Sequence, residues 1–292
     1  MAYVVRMESL HMAEMKMTVW NVEDGNSISL ELPNGKIAMI DAHATSKFSP
    51  VRKLYANGHR KVDWLFITHP HTDHLGDVQT IRDLQMGPTI MIRPREISDE
   101  LIRKDNANKD VVESYLALDK EYTRKPELFE DYRDQKNTGG VAIELFIPES
   151  RGTQDLNDYS RIVLITFGNR KILCMGDCTP ASVRGLLGND DCVSKIQGVD
   201  FLVAPHHGHE SCYCPELFDH ISPKLTIVSD DHAEESVSAV SKYEYWSSGM
   251  VFTTSAGASE MRYCLTTRND GDISIKISED GAYNVSYNGR KN

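Results

Sequence analysis

Thr68-His69-Pro70-His71-Thr72-Asp73-His74 is the stretch that decides how this sequence folds. Three histidines and an aspartate fall within six residues, directly after the apolar run Val62-Asp63-Trp64-Leu65-Phe66-Ile67. That run reads as a buried strand, so the cluster sits where a strand ends. His69 and His71 are two apart on extended chain, and both imidazoles therefore leave the same side. Asp73 and His74 follow as the chain turns into a helical pattern over Leu75–Leu84, within reach of a second ion. Imidazole nitrogen combined with carboxylate oxygen suits zinc, manganese or iron rather than calcium.

Two further strand ends offer partners for this cluster. The run Lys171-Ile172-Leu173-Cys174-Met175-Gly176 finishes at Asp177, and Val199–Pro205 finishes at His206-His207-Gly208-His209. Taken alone, Asp177 reads as the N-cap of a helix starting at Pro180. Beside the other two motifs it reads as a carboxylate that could bridge two ions. One of His206 and His207 supplies a further imidazole.

The rest of the chain is organised around these points. Three short strand patterns fill Thr18 to Ala42, separated by Asp24-Gly25-Asn26 and Pro33-Asn34-Gly35, as in a β-meander. A short helix is expected at Pro50–Asn57. From Glu96 to Asp134 both charge signs are dense, with Ile97, Leu101, Val112, Tyr115 and Leu116 at helical spacing, as in a helical stretch lying over a sheet. Lys104, Lys109, Arg124 and Arg133 could clamp a substrate, but the acids between them read as a solvated face. Later strands are expected at VAIELFIP, RIVLITFG, KILCMG, VDFLVAP, KLTIVS, VFTT, EMRYCLTTR and DISIKI, with helices at Pro180–Leu187 and Pro215–His220. Strand runs broken twice by a helix describe an α+β layered fold rather than a regular βαβ alternation. The expected organisation is an N-terminal extension over 1–15 and one domain over 16–288, carrying a charged helical insertion at about 93–137.

Composition narrows the class. With 292 residues, 40% hydrophobic and 26% charged, the chain can bury one large core. No apolar run reaches the roughly 18 residues of a membrane span, and the N-terminus lacks the pattern of a signal peptide. Six cysteines show neither a compact disulfide framework nor paired C-x-x-C spacing, which reads as reduced thiols in a cytoplasm. Cys212-x-Cys214 reads as structural. The formal charge of −11 gives no global basic field, so a nucleic-acid substrate would be gripped by a local patch or by the metals.

His69-Pro70-His71-Thr72-Asp73-His74 resembles the H-x-H-x-D-H signature of the metallo-β-lactamase superfamily. The whole chain from Met17 onward resembles one branch of it, the nuclease-like domain of the competence protein ComEC and its stand-alone soluble relatives. The branch's ordered motifs have counterparts at Asn21–Ile28, Ile40–His43, Thr68–Asp77, Asn157–Leu164, Cys174–Asp177, Pro205–His209 and the tail Val251–Ile277. The resemblance implies a four-layer αββα sandwich. It also implies that Asp41 orients a ligand histidine, that Ser160 lies near the site, and that His232 donates a proton to a leaving group. Departures are Asp41-Ala42-His43 in place of D-G-G, Glu23-Asp24-Gly25-Asn26 in place of G-Q-G-D, and His209 in place of a serine. His43 is expected at the rim of the site, contacting the substrate phosphate or narrowing the mouth. No histidine lies between Leu84 and Asp177. That fits the competence branch and argues against antibiotic hydrolysis and against a glyoxalase.

Together these readings predict hydrolysis assisted by two divalent ions, zinc or manganese ahead of magnesium. His69, His71 and one of His206 and His207 are expected to hold one ion, and Asp73 and His74 the other, with Asp177 bridging. A hydroxide generated between the ions would attack phosphorus, oriented by Asp73. The expected substrate is a phosphodiester in DNA or RNA. The alternatives are a smaller phosphodiester, such as a cyclic nucleotide or choline phosphoester, and a metal-stabilised binding module without catalysis. No membrane partner is expected.

Overall fold

The computed structural model describes residues 12–148, 155–230, 238–253 and 257–289. Its first strands are the expected meander: β1 (Glu14–Val19), β2 (Ser27–Glu31) and β3 (Ile37–Ala42). Gly35 makes the second turn in the left-handed region, with φ 81°. Helix α1 (Pro50–Ala56) follows, then β4 (Trp64–Phe66), α2 (Val78–Asp83) and β5 (Ile90–Ile92). The charged stretch forms α3 (Asp99–Asp105) and α4 (Lys109–Glu121). Next come β6 (Ala142–Phe146), β7 (Ile162–Phe167), β8 (Arg170–Cys174), α5 (Pro180–Leu187) and α6 (Asp190–Ile196). The chain continues through β9 (Phe201–Val203), β10 (Leu225–Val228), α7 (Val240–Trp246), β11 (Met250–Thr253) and β12 (Ser259–Arg262). It ends with β13 (Cys264–Thr266), α8 (Thr267–Asp270), β14 (Ile273–Ser278) and β15 (Tyr283–Tyr287).

Two large sheets result. One has the order β15-β14-β1-β2-β3-β4-β5 and the other β13-β10-β9-β8-β7-β6, while β11 and β12 form a separate hairpin. Strand alternation explains why they stack. In β3, Ala38 and Ile40 face inward with Met17, Leu30 and Phe66, against Val163, Ile165, Ile172 and Phe201 of the second sheet. Ile37 and Met39 face outward, where Val51, Leu54, Val78, Ile81 and Tyr115 of α1, α2 and α4 cover them. On the far side Leu164, Leu173 and Leu202 are covered by Val183, Leu186, Ile196 and Tyr243 of α5, α6 and α7. Both faces of each central strand are buried, so the layers are helix, sheet, sheet, helix. This is the αββα sandwich of an α+β fold. Among the described residues no helix is long and apolar enough to cross a membrane.

The parallel pairs set the position of the site. β3 runs parallel to β4, and β8, β9 and β10 run parallel to one another. The loops leaving β4, β8, β9 and β10 carry His69–His74, Asp177, His206–His207 and Ser229. Several expectations shift in detail. The run EMRYCLTTR is not one strand but β12 and β13, which belong to different sheets and part at Tyr263, followed by the start of α8 at Thr267. Pro215–Asp219 is a 3-10 turn rather than an α-helix. Strands β5 and β15 and helices α6 and α7 have no counterpart in the sequence reading, because such short segments carry too few residues for a period to show.

Candidate metal centre

The site rests on a fully buried carboxylate. Asp41, the last but one residue of β3, lies in the left-handed region, with φ 57°. A non-glycine residue holds that conformation only where its surroundings determine it, and here four contacts do. Its carboxylate accepts from the Thr68 backbone N–H at 2.7 Å, the Thr68 hydroxyl at 2.8 Å and the Asn26 amide at 2.8 Å, and pairs with Nδ1 of His74 at 2.7 Å. The His74 ring is thereby aimed so that Nε2 lies 3.3 Å from Asp177 Oδ1 and 3.7 Å from Asp73 Oδ2.

The second wall comes from the turn after β9. His206, His207 and Gly208 are consecutive left-handed residues, with φ 50°, 54° and 70°. A Cβ at Gly208 would come within 2.7 Å of Val228, so only glycine lets the turn press against β10. Nδ1 of His207 donates to the Ser229 carbonyl at 2.9 Å, and Nε2 faces Asp73 Oδ2 at 3.3 Å and Asp177 Oδ2 at 3.6 Å. Nε2 of His206 lies 4.0 Å from the same Asp177 oxygen. On the remaining side, Nε2 of His69 is 2.9 Å from Nδ1 of His71 and 3.8 Å from Asp177 Oδ2. Asp177 therefore stands between two groups. His207 joins Asp73 and His74 rather than His69 and His71, which leaves His206, 4.0 Å from Asp177 Oδ2, as a further imidazole for the group in which His69 lies 3.8 Å from that oxygen.

These residues fit divalent ions. One ligand atom each from Asp73, His74, Asp177 and His207 lies within 4.8 Å of all the others. Nε2 of His74 and Nε2 of His207 are buried and make no aligned hydrogen bond. Both instead face carboxylate oxygens at 3.3 Å, an arrangement of nitrogen and oxygen donors that a cation between them would suit. Each imidazole also has its outer nitrogen engaged: His74 by Asp41, His207 by the Ser229 carbonyl, His71 by Asp105 at 3.2 Å, His206 by Cys212 Sγ at 2.9 Å and His69 by the Thr68 hydroxyl at 3.2 Å. Outer partners of this kind fix the ring and the tautomer of metal-binding histidines.

Opposite charges shift one another within the cluster. Burial lowers the His69 pKa well below the usual value. Burial would lower His74 too, but Asp177, Asp41 and Asp73 raise it well above the usual value. His207 is lifted to about 9, since Asp177 and Asp73 overcome its burial. Burial opposes ionisation of Asp73 and Asp177, yet His74 and His207 hold both well below the ordinary carboxylate range.

The other expected residues surround this cluster in different ways. The Ser160 hydroxyl accepts from the Asp177 backbone N–H at 3.1 Å, so it supports the carboxylate from behind. His209 caps the next turn through Ser211 and lies beside the His206 ring, with centroids 5.6 Å apart. His43 follows β3 but is packed inward: its ring fills the space over Gly25 and Gly76 and is hydrogen-bonded to the backbone of Thr72. His232 lies outside the described residues. Arg124 and Arg133 are spent on Glu130 and Asp131, and Lys109 on backbone carbonyls, as a solvated face would have it. Sequence reading missed Asn26, Asp105, Asn106 and the contact of Cys212 with His206. Their partners lie on other elements, and no local spacing signals them.

Comparison with known proteins identifies the family of the chain. The chain is 23% identical over 235 residues to the competence protein ComA of Neisseria gonorrhoeae, covering 78% of this chain and 29% of that protein's length. Among solved structures, the metallo-beta-lactamase fold protein YhfI of Bacillus subtilis is 11% identical, with 94% of this chain and 100% of that one covered at a TM-score of 0.48. A metallo hydrolase of the archaeon Ignicoccus hospitalis is 14% identical, with 93% and 98% covered at a TM-score of 0.45. The family model of the metallo-beta-lactamase superfamily matches residues 20–214. The chain thus belongs to the metallo-beta-lactamase superfamily, whose members are for the most part metal-dependent hydrolases.

Proposed function

We propose that this chain is a phosphodiesterase that cleaves nucleic acid, DNA or RNA, with two divalent ions. The observation that carries the reading is the convergence of the buried Nε2 atoms of His74 and His207 on Asp73 and Asp177, with one ligand atom from each of the four residues within 4.8 Å of the others. Asp73, His74 and His207 would hold one ion, and His69, His71 and His206 the other, with Asp177 between them. Zinc or manganese suits this nitrogen and oxygen donor set better than magnesium. When bound, such ions lower the pKa of a water towards about 7 and neutralise charge on phosphoryl oxygens.

The protein's own groups prepare the rest. The Asp73 side chain is 34% exposed and the His206 side chain 31%, while His69 and His74 are fully buried. Substrate therefore meets Asp73 and His206, and Asp73 is placed to orient an attacking water. Asp41 and Ser229 hold the His74 and His207 rings, so little reorganisation is needed as charge develops. We assign proton donation to the leaving group to His232. The six cysteines are all free, which supports the cytoplasmic reading.

Phosphodiester substrates are supported by the motif order shared with the competence branch and by the similarity to ComA, of which this chain spans 29%. The net charge of −11 favours a small phosphodiester as the second reading. One experiment separates them: DNA, RNA, cyclic nucleotides and choline phosphoesters assayed with zinc, manganese and magnesium. Cleavage of nucleic acid that weakens steeply with salt supports the first reading. Turnover of small esters alone supports the second. No turnover with any metal would sink both and favour a binding module.

A further inference from the structure

Most ion pairs of the charged stretch between β5 and β6 stay on the surface, among them Arg103 with Glu113 and Arg124 with Glu130. Asp105 does something else. It closes α3, and its Oδ2 lies 3.2 Å from Nε2 of His71 and 3.5 Å from the backbone N–H of Leu156, which leads towards β7. The next residue extends the grip. The buried Asn106 amide donates to the Pro70 carbonyl at 3.0 Å, and its oxygen accepts from the Thr72 N–H at 2.9 Å. Both neighbours of His71 are thus tied to the end of α3.

Two physical points give this contact meaning. A carboxylate in the last turn of a helix faces the negative end of the helix dipole, which is unfavourable, so the helix itself gives no reason for Asp105. A neutral imidazole has one N–H and one lone pair. With Asp105 accepting at Nε2, the proton is held there and the lone pair is left on Nδ1. That is the atom of His71 that faces His69 Nε2 at 2.9 Å, on the inner side of the site.

We propose that Asp105 is a positioning residue of the metal centre: it holds the Nε2–H tautomer of His71 and so presents Nδ1 to an ion. The proposal rests on the reading of His71 as a ligand. It makes the charged stretch a working part of the site, since ion binding and the ordering of α3 stabilise each other.

The test is zinc binding to chelator-treated protein, measured by competition with a chromophoric chelator, together with amide exchange of α3. Wild type, Asp105→Asn, Asp105→Ala, His71→Ala and the double variant His71→Ala with Asp105→Ala are compared. Asp105→Ala should weaken one of two ions by about 10- to 100-fold and leave the other unchanged. Asp105→Asn, whose amide oxygen still accepts, should lose less. In the His71→Ala background the Asp105 change should add nothing. Zinc should slow amide exchange in α3 of wild type and fail to do so in Asp105→Ala. Unchanged affinity in both Asp105 variants would overturn the proposal, as would a further loss in the His71→Ala background. Equal weakening of both ions would mean general damage and overturn it as well. If Asp105→Ala does not fold, Asp105→Asn decides alone, by a selective loss at one ion or none. If wild type binds no zinc, the ligand reading itself has failed, and the wild-type arm shows this directly.

Discussion

Asp41 and His74 are separated by 33 residues and pair at 2.7 Å with both side chains completely buried. The contact joins the end of β3 to the metal loop and lies behind the inner nitrogens of the site.

Replacing Asp41 by alanine should be among the most damaging changes in the chain. It strips partners from the His74 ring, the Thr68 N–H and the Asn26 amide together, and breaking a buried pair in this way costs about 3–5 kcal/mol. Chemical denaturation of Asp41→Ala should show a loss of that order; a loss near zero would mean that the Asp41 contacts carry no weight.

Asp73 tolerates change better, because its side chain is 34% exposed. Asp73→Ala should stay folded and lose hydrolysis by at least about 10²-fold, since a ligand and the group that orients water go together. Near-wild-type turnover with unchanged circular dichroism would defeat the two-ion mechanism.

Metal analysis after gentle purification should find close to two transition ions per chain. His69, His71, Asp73, His74, Asp177, His206 and His207 offer more donors than the four of one tetrahedral zinc. One tightly held ion, with no response of activity to added metal, would contradict this count.

In the metal-free protein the His207 pKa is raised from 6.5 to about 9. A raised folded-state pKa adds stability that is complete below the unfolded value and lost as pH rises through the folded one. His74 acts in the same direction. The melting temperature of chelator-treated protein should therefore fall between pH 6.5 and about 9. Ions bind the neutral imidazoles, so zinc-loaded protein should gain stability relative to the metal-free form over that interval. Parallel melting curves for the two forms would refute the coupling.

His43 fills the space over Gly76, where an added Cβ would lie 2.7 Å from its Nδ1. Gly76→Ala should cost about 1–3 kcal/mol through overpacking, and His43→Gly in that background should restore part of the loss. His43→Gly alone should shift the ratio of nucleic-acid to small-ester cleavage while metal content stays constant. If that ratio does not move, His43 serves packing only.

Much of this site is legible in the order of residues along the chain. His69, His71, Asp73 and His74 form one short run, and Asp177 and the His206-His207 pair each stand where an apolar run stops. Strands with both faces buried leave continuous apolar runs in the sequence, and ligands at their ends follow without knowledge of the sheet order. The meander from β1 to β3 and helix α5 are legible for the same local reasons.

What the sequence determined alone is the type of donor and its place at strand ends, since residue identity and period are local properties. Tertiary structure decided which imidazole faces which carboxylate. His206 and His207 are adjacent, and only a turn of three consecutive left-handed residues, with Gly208 packed against β10, sends His207 to Asp73 and His74. It also decided the outer partners: Asp105 meets His71 because α3 ends beside the metal loop, and Cys212 meets His206 because a tight turn folds back on it. Such pairings depend on how separate elements pack, and no spacing along the chain encodes them.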